Sequence, residues 1–460
     1  MSLDMEATER NATVSEGESL AANRRTRRLL MIAFHYPPAN ASGTLRALKF
    51  SRYLREFDWE VSLLTVPEGC HEVLDPALLA QVPAEVRVHR AFCVDTRRAF
   101  SILGRYPAFA AVPDRYVSWL PFAFWRGLQV IRAQGVDAIF STSPVPTAHL
   151  VAYALKRATG LPWVADFRDP WGSGQARGRL RQRVETRMEQ AVVRRADRVV
   201  GTTEELAEEL GRRIGAGPSH KTVAIYNGYD ESDFAALRAT NGAEPVFCIT
   251  HAGLLYPAFR HPAVFLRAVR ACLDDGRLPA DTRVHFLGSG PLARDPAVQR
   301  LIAAAGLERV VTITERIAYR EALQTMMDSS ALLLLQGGQE THAQVPNKAF
   351  EYLRSGRPIL CLAPARSATA RVLRDFTGVF SADPDDADGV TRQLAEVAEA
   401  WRRRPAGFDR AAEGVARYSR QGAARALVGL LDGLVAQRGL VGEEQAAATS
   451  TARQHRIARS

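Results

Sequence analysis

Short apolar runs alternate with amphipathic stretches along most of the chain, in two successive series. The first series opens at residues 28–34 and closes near residue 202, and the second opens near residue 246. Apolar runs of this length, separated by helical stretches, are typical of buried parallel strands covered by helices. The sequence therefore predicts an α/β fold with two parallel-sheet domains. The length of 460 residues agrees, because it exceeds what one hydrophobic core supports.

Polar stretches around and between the two series predict where the domains begin and end. The terminal stretches are rich in Ala, Ser, Thr, Glu and Arg and have no apolar periodicity, which is typical of disordered tails. We expect, in chain order, a tail at 1–26, an N-terminal domain at 27–225, a linker at 226–245, a C-terminal domain at 246–410, a helix at 411–440 that crosses back to the first domain, and a second tail at 441–460.

The composition argues against several classes of protein. The N-terminal residues are polar without an apolar signal region, and every apolar run is shorter than the roughly 20 residues of a membrane-spanning helix. We therefore expect a cytoplasmic protein. The five cysteines are widely spaced and form no CxxC pair, which argues against a zinc site or a disulfide framework. The net charge of +10 comes mainly from arginine and fits either a genome-wide bias or an anionic partner.

Ligands of open α/β sheets bind beyond the carboxyl ends of the strands, so the loops after the predicted strands are candidate sites. The first such loop ends at Gly43, where a helix N-terminus can approach a phosphate; it contains no GxGxxG, which disfavours a nicotinamide or flavin site. A later strand is followed by Asp166 and Arg168, which either position a substrate and stabilise a leaving phosphate or form an internal ion pair. Asp114 and Trp119 either line the same cleft or belong to the core.

Two loops of the second series carry groups that suit a phosphate site. Gly253 allows a tight turn after the first strand of this series, and Arg260 adds a cation a few residues further on. The strongest signal is a run in which Asn347 can cap a helix whose N-terminus faces phosphate oxygens. The candidate donor-binding residues of this run are Val345, Asn347, Lys348 and Glu351. The alternative is that Lys348 and Glu351 only pair with each other on an exposed helix.

These segments together resemble the GT-B retaining glycosyltransferases known as family 4. The resemblance covers about residues 28–437. It is carried by YPP at 36–38 with SG at 42–43, DRYVSWLPFAF at 114–124, FSTSP at 140–144, DFRDPW at 166–171, IYNGYD at 225–230, HAGLLY at 251–256, FLGSGP at 286–291 and VPNKAFEYLRSGRPIL at 345–360. The resemblance implies two Rossmann-like domains that face each other across a cleft, with a nucleotide-diphosphate sugar bound between them.

The resemblance also implies roles for single residues. Glu351 matches the glutamate that binds the ribose of the nucleotide, and the backbone at 345–348 matches the segment that cradles the diphosphate. Arg260 matches the second of two basic residues that grip the phosphates, whereas the first falls on Leu254. A further glutamate of the family, which contacts the donor sugar, is replaced here by Ala343.

The resulting hypothesis is a retaining, metal-independent hexosyltransferase that uses a nucleotide-diphosphate sugar as co-substrate and needs no cofactor. The predicted catalytic residues are Asp166, Arg168, Arg260 and Lys348. Basic side chains and helix amides can stabilise the leaving diphosphate without a metal. Aspartates at 383–388 have DxD spacing but fall in a polar loop, so no metal site is predicted there. The expected acceptor is a saccharide or a lipid-linked molecule of cell-envelope polysaccharide or glycolipid synthesis.

Partners and alternative functions remain open at this point. The arginine-rich stretch at 177–198 is either a solvated face or a surface that contacts anionic lipid at the inner face of the cell membrane. The replacement at Ala343 fits a non-catalytic partner protein of the same fold, and a GT-B epimerase is a related class of enzyme. A nucleic-acid-binding role fits the charge, but neither interleaved exposed aromatics nor a known module supports it, so we expect no nucleic acid partner.

Overall fold

The computed structural model of the protein describes residues 25–41, 43–99, 111–171, 178–215, 221–239, 246–255, 261–290, 295–315, 317–338 and 341–457, with side chains not described at 98 or beyond 440. These residues contain one sheet of seven strands and one of six, and all strands pair in parallel. The structure therefore confirms the predicted α/β class with two parallel-sheet domains.

The N-terminal sheet has the strand order β3-β2-β1-β4-β5-β6-β7. Its strands are β1 (Arg27–Ala33), β2 (Trp59–Thr65), β3 (Arg87–Arg90), β4 (Ala138–Thr142), β5 (Trp163–Phe167), β6 (Arg198–Gly201) and β7 (Thr222–Ala224). The helices between them are α1 (Thr44–Tyr53), α2 (Thr96–Ala99), α3 (Trp119–Gln134), α4 (Thr147–Thr159), α5 (Arg179–Arg195) and α6 (Glu204–Arg213). All residues of β4 and β5 are buried, as expected for central strands with both faces covered.

The C-terminal sheet has the strand order β10-β9-β8-β11-β12-β13. Its strands are β8 (Cys248–Ala252), β9 (Arg283–Leu287), β10 (Val311–Thr314), β11 (Ala331–Leu335), β12 (Ile359–Leu362) and β13 (Val379–Ala382). The helices of this half are α7 (Glu231–Phe234), α8 (Ala263–Asp274), α9 (Pro296–Ala304), α10 (Tyr319–Asp328), α11 (Asn347–Ser355), α12 (Ala368–Arg374) and α13 (Ala387–Arg403).

Three of the strands, β3, β7 and β13, do not stand out as apolar runs in the sequence. Each of them lies at an edge of its sheet and is only partly buried. An edge strand has one unpaired side and needs no continuous apolar run, so the apolar pattern that revealed the central strands is weak in these three.

The C-terminal helix α14 (Arg420–Ile457) differs from its predicted bounds at both ends. It follows a short 3-10 turn, Val415–Tyr418, and continues to Ile457 through the segment predicted as a disordered tail. That segment lacks apolar periodicity but contains many Ala, Glu and Gln residues, which favour a helix. The other predicted tail, up to residue 24, lies outside the described residues.

Helix α14 packs against the N-terminal domain although the chain enters it from the C-terminal domain. Leu427 and Leu431 are fully buried in the same apolar cluster as Leu29 of β1. The indole nitrogen Nε1 of Trp59 donates a hydrogen bond of 3.0 Å to Asp432 Oδ1 of the helix. The helix therefore forms part of the hydrophobic core of the N-terminal domain.

The two chain segments that cross between the domains are bonded to each other. The amide of Tyr229 donates to the carbonyl oxygen of Tyr418 at 3.1 Å, and the amide of Arg420 donates to the carbonyl oxygen of Tyr229 at 2.8 Å. Gly228 is required at this crossing, because a Cβ there would lie 2.1 Å from the Tyr418 carbonyl oxygen. These hydrogen bonds tie the segment that leaves the N-terminal domain to the segment that returns to it.

Candidate functional site

Loops from the two sheets meet across the interdomain cleft. Gln344 Nε2, in the loop before α11, donates to Asp169 Oδ1 at 3.0 Å. Thr203 Oγ1, after β6, donates to the carbonyl oxygen of Ala343 at 2.7 Å. The structure therefore brings the loop after β5, which contains Arg168 and Asp169, next to the segment that leads into α11.

Arg168 is held against the N-terminus of α1. A Cβ at Gly43, whose φ is +110°, would lie 2.7 Å from Arg168 Nη1 and 2.9 Å from Pro144 Cδ, so only glycine fits there. The side-chain nitrogens Nε and Nη1 of Arg168 are buried and have no hydrogen-bond partner among the described residues. Burial, followed by the nearby Arg46 charge, lowers the pKa of Arg168. The guanidinium thus offers N–H donors to the oxygen atoms of a ligand.

Asp166 is engaged inside the N-terminal domain. Its carboxylate is fully buried and forms a bidentate ion pair with Arg46, with contacts of 2.6 Å and 2.9 Å. Thr142 Oγ1 donates to the same carboxylate at 2.6 Å. Because both oxygens accept hydrogen bonds from the protein, the geometry corresponds to the internal ion pair rather than to direct contact with a substrate hydroxyl. Asp166 is therefore a positioning residue.

Asp114 and Trp119 belong to the core, as one of the two interpretations predicted. Trp119 is fully buried in the apolar cluster of this domain. Asp114 Oδ2 accepts hydrogen bonds from the amide and the hydroxyl of Thr147 at 2.8 Å and 2.7 Å, at the first turn of α4. The carboxylate thus stabilises a helix start.

Arg46 also anchors the interdomain segment, together with a residue that sequence reasoning missed. Arg46 donates to the carbonyl oxygens of Ile225 and Tyr226 at 2.9 Å and 3.2 Å. Arg420, at the start of α14, donates to Asn227 Oδ1 at 3.4 Å. Burial, followed by the Arg46 charge, lowers the pKa of Arg420 to about 10. In a chain rich in arginine, no sequence signal separates this buried guanidinium from the exposed ones.

The C-terminal side of the cleft centres on Glu351 of α11. Its carboxylate is nearly buried and accepts a hydrogen bond from the Tyr319 hydroxyl at 2.9 Å, and Lys348 Nζ lies 2.7 Å from its second oxygen. The same ammonium lies 5.4 Å from the centre of the Tyr319 ring. The predicted i, i+3 pair is therefore present, but it lies in the cleft wall next to an aromatic ring. Tyr319 carries no sequence motif and was not predicted.

The start of α11 differs from the prediction in one respect. Pro346 occupies the N-cap position, and no side chain caps the helix. Asn347 is instead the first helical residue, and its Oδ1 is buried without a hydrogen-bond partner in the described part of the chain. Proline fits this position because its fixed φ suits an extended residue before a helix and the cap needs no donor. The half-buried Val345 precedes it, so the first-turn amides remain the phosphate-binding groups to consider.

The turn after β8 contains Gly253, and its conformation explains the glycine. The residue has a φ of +143°, a region that side chains rarely allow, and its amide donates to the carbonyl oxygen of Leu287 at 2.8 Å. Arg260, the predicted phosphate-binding and catalytic cation, lies outside the described residues. Its role stays a prediction.

A cavity of about 800 Å³ opens at the carboxyl ends of β11, β12 and β13. Its wall includes Gln336, Gly337, Gly338 and His342, which precede α11 in the chain. His261, Arg366 and Asp383 contribute polar groups to its wall. The aspartates at 383 and 385 are exposed and directly follow β13, so they do stand at the end of a strand. No group of three or more His, Cys, Asp or Glu side chains suited to a metal ion occurs among the described residues.

Comparison with known proteins agrees with this architecture. Lipopolysaccharide outer core galactosyltransferase WaaB superposes with a TM-score of 0.58 at 11% identity, covering 87% of this chain and 99% of that one. HepE of Anabaena in complex with UDP-glucose gives 0.56 at 15% identity, covering 88% and 99%. These likenesses and the two facing sheets define the fold as GT-B.

The sequence comparisons match part of the chain. Residues 43–228 match the family model described as a glycosyl transferase 4-like domain. D-inositol 3-phosphate glycosyltransferase of Streptomyces scabiei is 28% identical over 223 residues, or 46% of this chain and 48% of that protein. The protein of the same name from Rhodococcus jostii is 34% identical over 181 residues, or 37% and 38%. Each match spans about half or less of the relative. The part of the chain from residue 43 to residue 228 therefore resembles a glycosyl transferase 4-like domain.

Within the described residues, no helix is both long enough and apolar enough to cross a bilayer.

Proposed function

We propose that the protein transfers a sugar, with retention of anomeric configuration and without a metal ion, from a nucleotide-diphosphate sugar to an acceptor hydroxyl. One observation carries the proposal. The loop with the unpartnered Arg168 donors and the N-terminus of α11 are joined across the cleft by the contact between Asp169 and Gln344. Groups that favour a diphosphate therefore lie on both sides of one cleft.

In the proposed complex, α11 binds the nucleotide. The helix N-terminus and the Lys348 ammonium attract the diphosphate, since both are positive. Glu351 binds the two ribose hydroxyls, which replace the contacts that its carboxylate now makes with Tyr319 and Lys348. The Tyr319 ring is 44% exposed and offers the adjacent base a stacking surface. The neighbouring cavity has room for the rest of the donor.

In the proposed reaction, the acceptor hydroxyl attacks the anomeric carbon from the face that the diphosphate leaves. The bond between that carbon and the diphosphate oxygen breaks, and the diphosphate oxygen takes the proton of the hydroxyl. Arg168 and Lys348 stabilise the negative charge that develops on the leaving group, because fixed positive groups act strongly in a site shielded from water. Arg260 is proposed for the same role.

The names of similar proteins suggest the first substrates to test. HepE binds UDP-glucose, and the Streptomyces and Rhodococcus relatives are named for D-inositol 3-phosphate. For this chain we propose a hexose nucleotide as donor and a hydroxyl-bearing acceptor of cell-envelope polysaccharide or glycolipid synthesis.

We also propose that α5 contacts anionic lipid at the cytoplasmic face of the membrane. Arg179, Arg183 and Arg187 recur every fourth residue and are exposed, which places them on one side of the helix. We call these three residues the arginine stripe. Leu180, next to the stripe, is 76% exposed. Each basic residue near an anionic surface contributes about 1 kcal/mol, and an exposed leucine can enter the headgroup region.

The donor site is tested by thermal unfolding with UDP, GDP, ADP, dTDP and their sugars, without added metal. The proposal predicts that one nucleotide series raises the melting temperature and that Glu351→Ala and Lys348→Ala abolish the rise. Glu396→Ala, an exposed glutamate on α13, is the control and should keep it. No stabilisation by any nucleotide would contradict the transferase and favour a non-catalytic partner protein.

A further inference from the structure

Two histidines lie side by side at the carboxyl edge of the N-terminal sheet. His35 lies two residues after the end of β1, and His71 follows the short turn after β2, the neighbouring strand. Their ring centres are 5.6 Å apart. Both rings pack edge-on against Phe34, with centre distances of 5.0 Å and 5.5 Å. The pair therefore has an apolar floor and a fixed position on the side of the sheet that faces the cleft.

The polar atoms of this pair have no protein partners within the described residues. His35 Nδ1 and both ring nitrogens of His71 are buried and make no hydrogen bond there. Trp119 Nε1, whose ring centre lies 5.8 Å from Phe34, is also buried without a partner. Buried polar groups in folded proteins are almost always hydrogen-bonded, since leaving them unpaired is costly. The three imidazole nitrogens on these two adjacent rings indicate a ligand-binding subsite, whereas Trp119 belongs to the packed core of the domain.

The charge state of the pair selects the kind of ligand. Burial, followed by the charges of His71, Arg168 and Arg115, lowers the pKa of His35 to about 4. Burial, followed by Arg90, lowers the pKa of His71. Both rings are therefore neutral near pH 7, and each has one donor and one acceptor nitrogen. A hydroxyl group can form a hydrogen bond with either nitrogen, whereas an unprotonated phosphate oxygen can only accept one from the donor nitrogen.

The surrounding cations do not turn the subsite into an anion site. Arg115 is already paired with Glu72 at 2.5 Å and with Asp95 at 3.4 Å. The acidic Glu72 raises the pKa of His35 against the other influences, which shows that negative charge is also near the ring. Arg168 differs from Arg115, because its Nε and Nη1 atoms have no partner among the described residues and are proposed to bind the diphosphate.

We propose that His35 and His71 form the acceptor subsite and bind hydroxyl groups of a polyhydroxylated molecule, a sugar or a cyclic polyol. The inference rests on the proposed function, of which it names the acceptor class. The ring nitrogens bind two or more hydroxyls, and Arg168 lies near enough for its charge to act on His35. His35 and His71 bind and orient the acceptor, and neither needs to take up a proton in the reaction.

The test is an NMR titration of the imidazole ring signals of the full-length protein. The signals of His35 and His71 are assigned from His35→Gln and His71→Gln. The control variant is His89→Gln, on the edge strand β3 of the same sheet. The added probes are methyl β-glucoside, myo-inositol and inorganic phosphate, each separately, and then UDP-glucose. Two independent variants keep the test valid if one of them fails to fold.

The proposal predicts that the glucoside or the inositol moves both histidine signals and that phosphate does not. Either single substitution should weaken that binding about fivefold, the effect of one lost neutral hydrogen bond, while His89→Gln leaves it unchanged. A response to phosphate alone would overturn the hydroxyl class. Nucleotide binding without any response to glucoside or inositol would overturn the acceptor subsite but not the donor site. Absence of nucleotide binding would contradict the proposed function itself.

Discussion

Replacing Arg46 by methionine tests the buried ion pair that positions the cleft. The substitution keeps an unbranched side chain but removes the bidentate partner of Asp166, whose carboxylate is fully buried. Thr142 would remain as a side-chain donor to that carboxylate. Breaking a buried ion pair by removing one partner costs about 3–5 kcal/mol, because the other charge stays buried and unpaired. We therefore expect Arg46→Met to lower the free energy of unfolding by about 3–5 kcal/mol.

The same structure predicts how the loss can be reversed. In Arg46→Met/Asp166→Leu, neither charge remains, and much of the stability should return, as buried ion pairs are often matched by apolar residues of similar volume. The assay is urea unfolding of each variant against wild type, followed by tryptophan fluorescence. Arg126→Met, an exposed arginine on α3, is the control and should change stability by less than about 0.5 kcal/mol. A loss below about 1 kcal/mol for Arg46→Met, or no recovery in the double variant, would refute the argument.

Three further perturbations address other parts of the molecule. Gly228→Ala should lower stability by about 1–3 kcal/mol or more, measured by calorimetry, because its Cβ would lie 2.1 Å from a carbonyl oxygen; an unchanged melting temperature would contradict the close crossing. Burial lowers the pKa of His149 from 6.5 to about 4. The stability due to its neutral ring is therefore complete above pH 6.5 and falls by about 1.4 kcal/mol per pH unit towards pH 4. His149→Gln should flatten this part of the pH–stability curve, and an unchanged slope would count against it. Alanine at all three positions of the arginine stripe should abolish sedimentation with phosphatidylglycerol vesicles but not alter nucleotide binding; retained sedimentation would leave the stripe as a solvated face.

The sequence predicted the central strands because a strand that is buried on both faces is a continuous run of apolar residues. The fully buried β11, Ala331–Leu335, is a continuous apolar run of the second series. The edge strands β3, β7 and β13 are only partly buried, and pairing with a neighbour, rather than their own composition, makes them strands. Local patterns therefore describe the interior of a sheet better than its edges.

Some residues of the candidate site could be predicted from local sequence, and others could not. The run at α11 has a recognisable pattern, and the prediction placed Lys348 and Glu351 on one helix near its start. The sequence left two interpretations of Asp166 open, a substrate-positioning residue or part of an internal ion pair, because nothing in the local sequence identifies its partner Arg46, which lies 120 positions away. Tyr319 and Arg420 become neighbours of the site only through tertiary packing. Long-range partners of charged residues are not encoded in local sequence.

The most direct test of the central claim is the acceptor dependence of nucleotide release. The donor that stabilises the protein is incubated with enzyme, with and without a glucoside or inositol acceptor, in the presence of EDTA, and free nucleotide diphosphate and glycosylated product are quantified together. The account predicts equal amounts of both, only with acceptor present, with product in the anomeric configuration of the donor and a large loss in Glu351→Ala. Release without acceptor and without glycosylated product, an inverted product or a strict requirement for metal would contradict it.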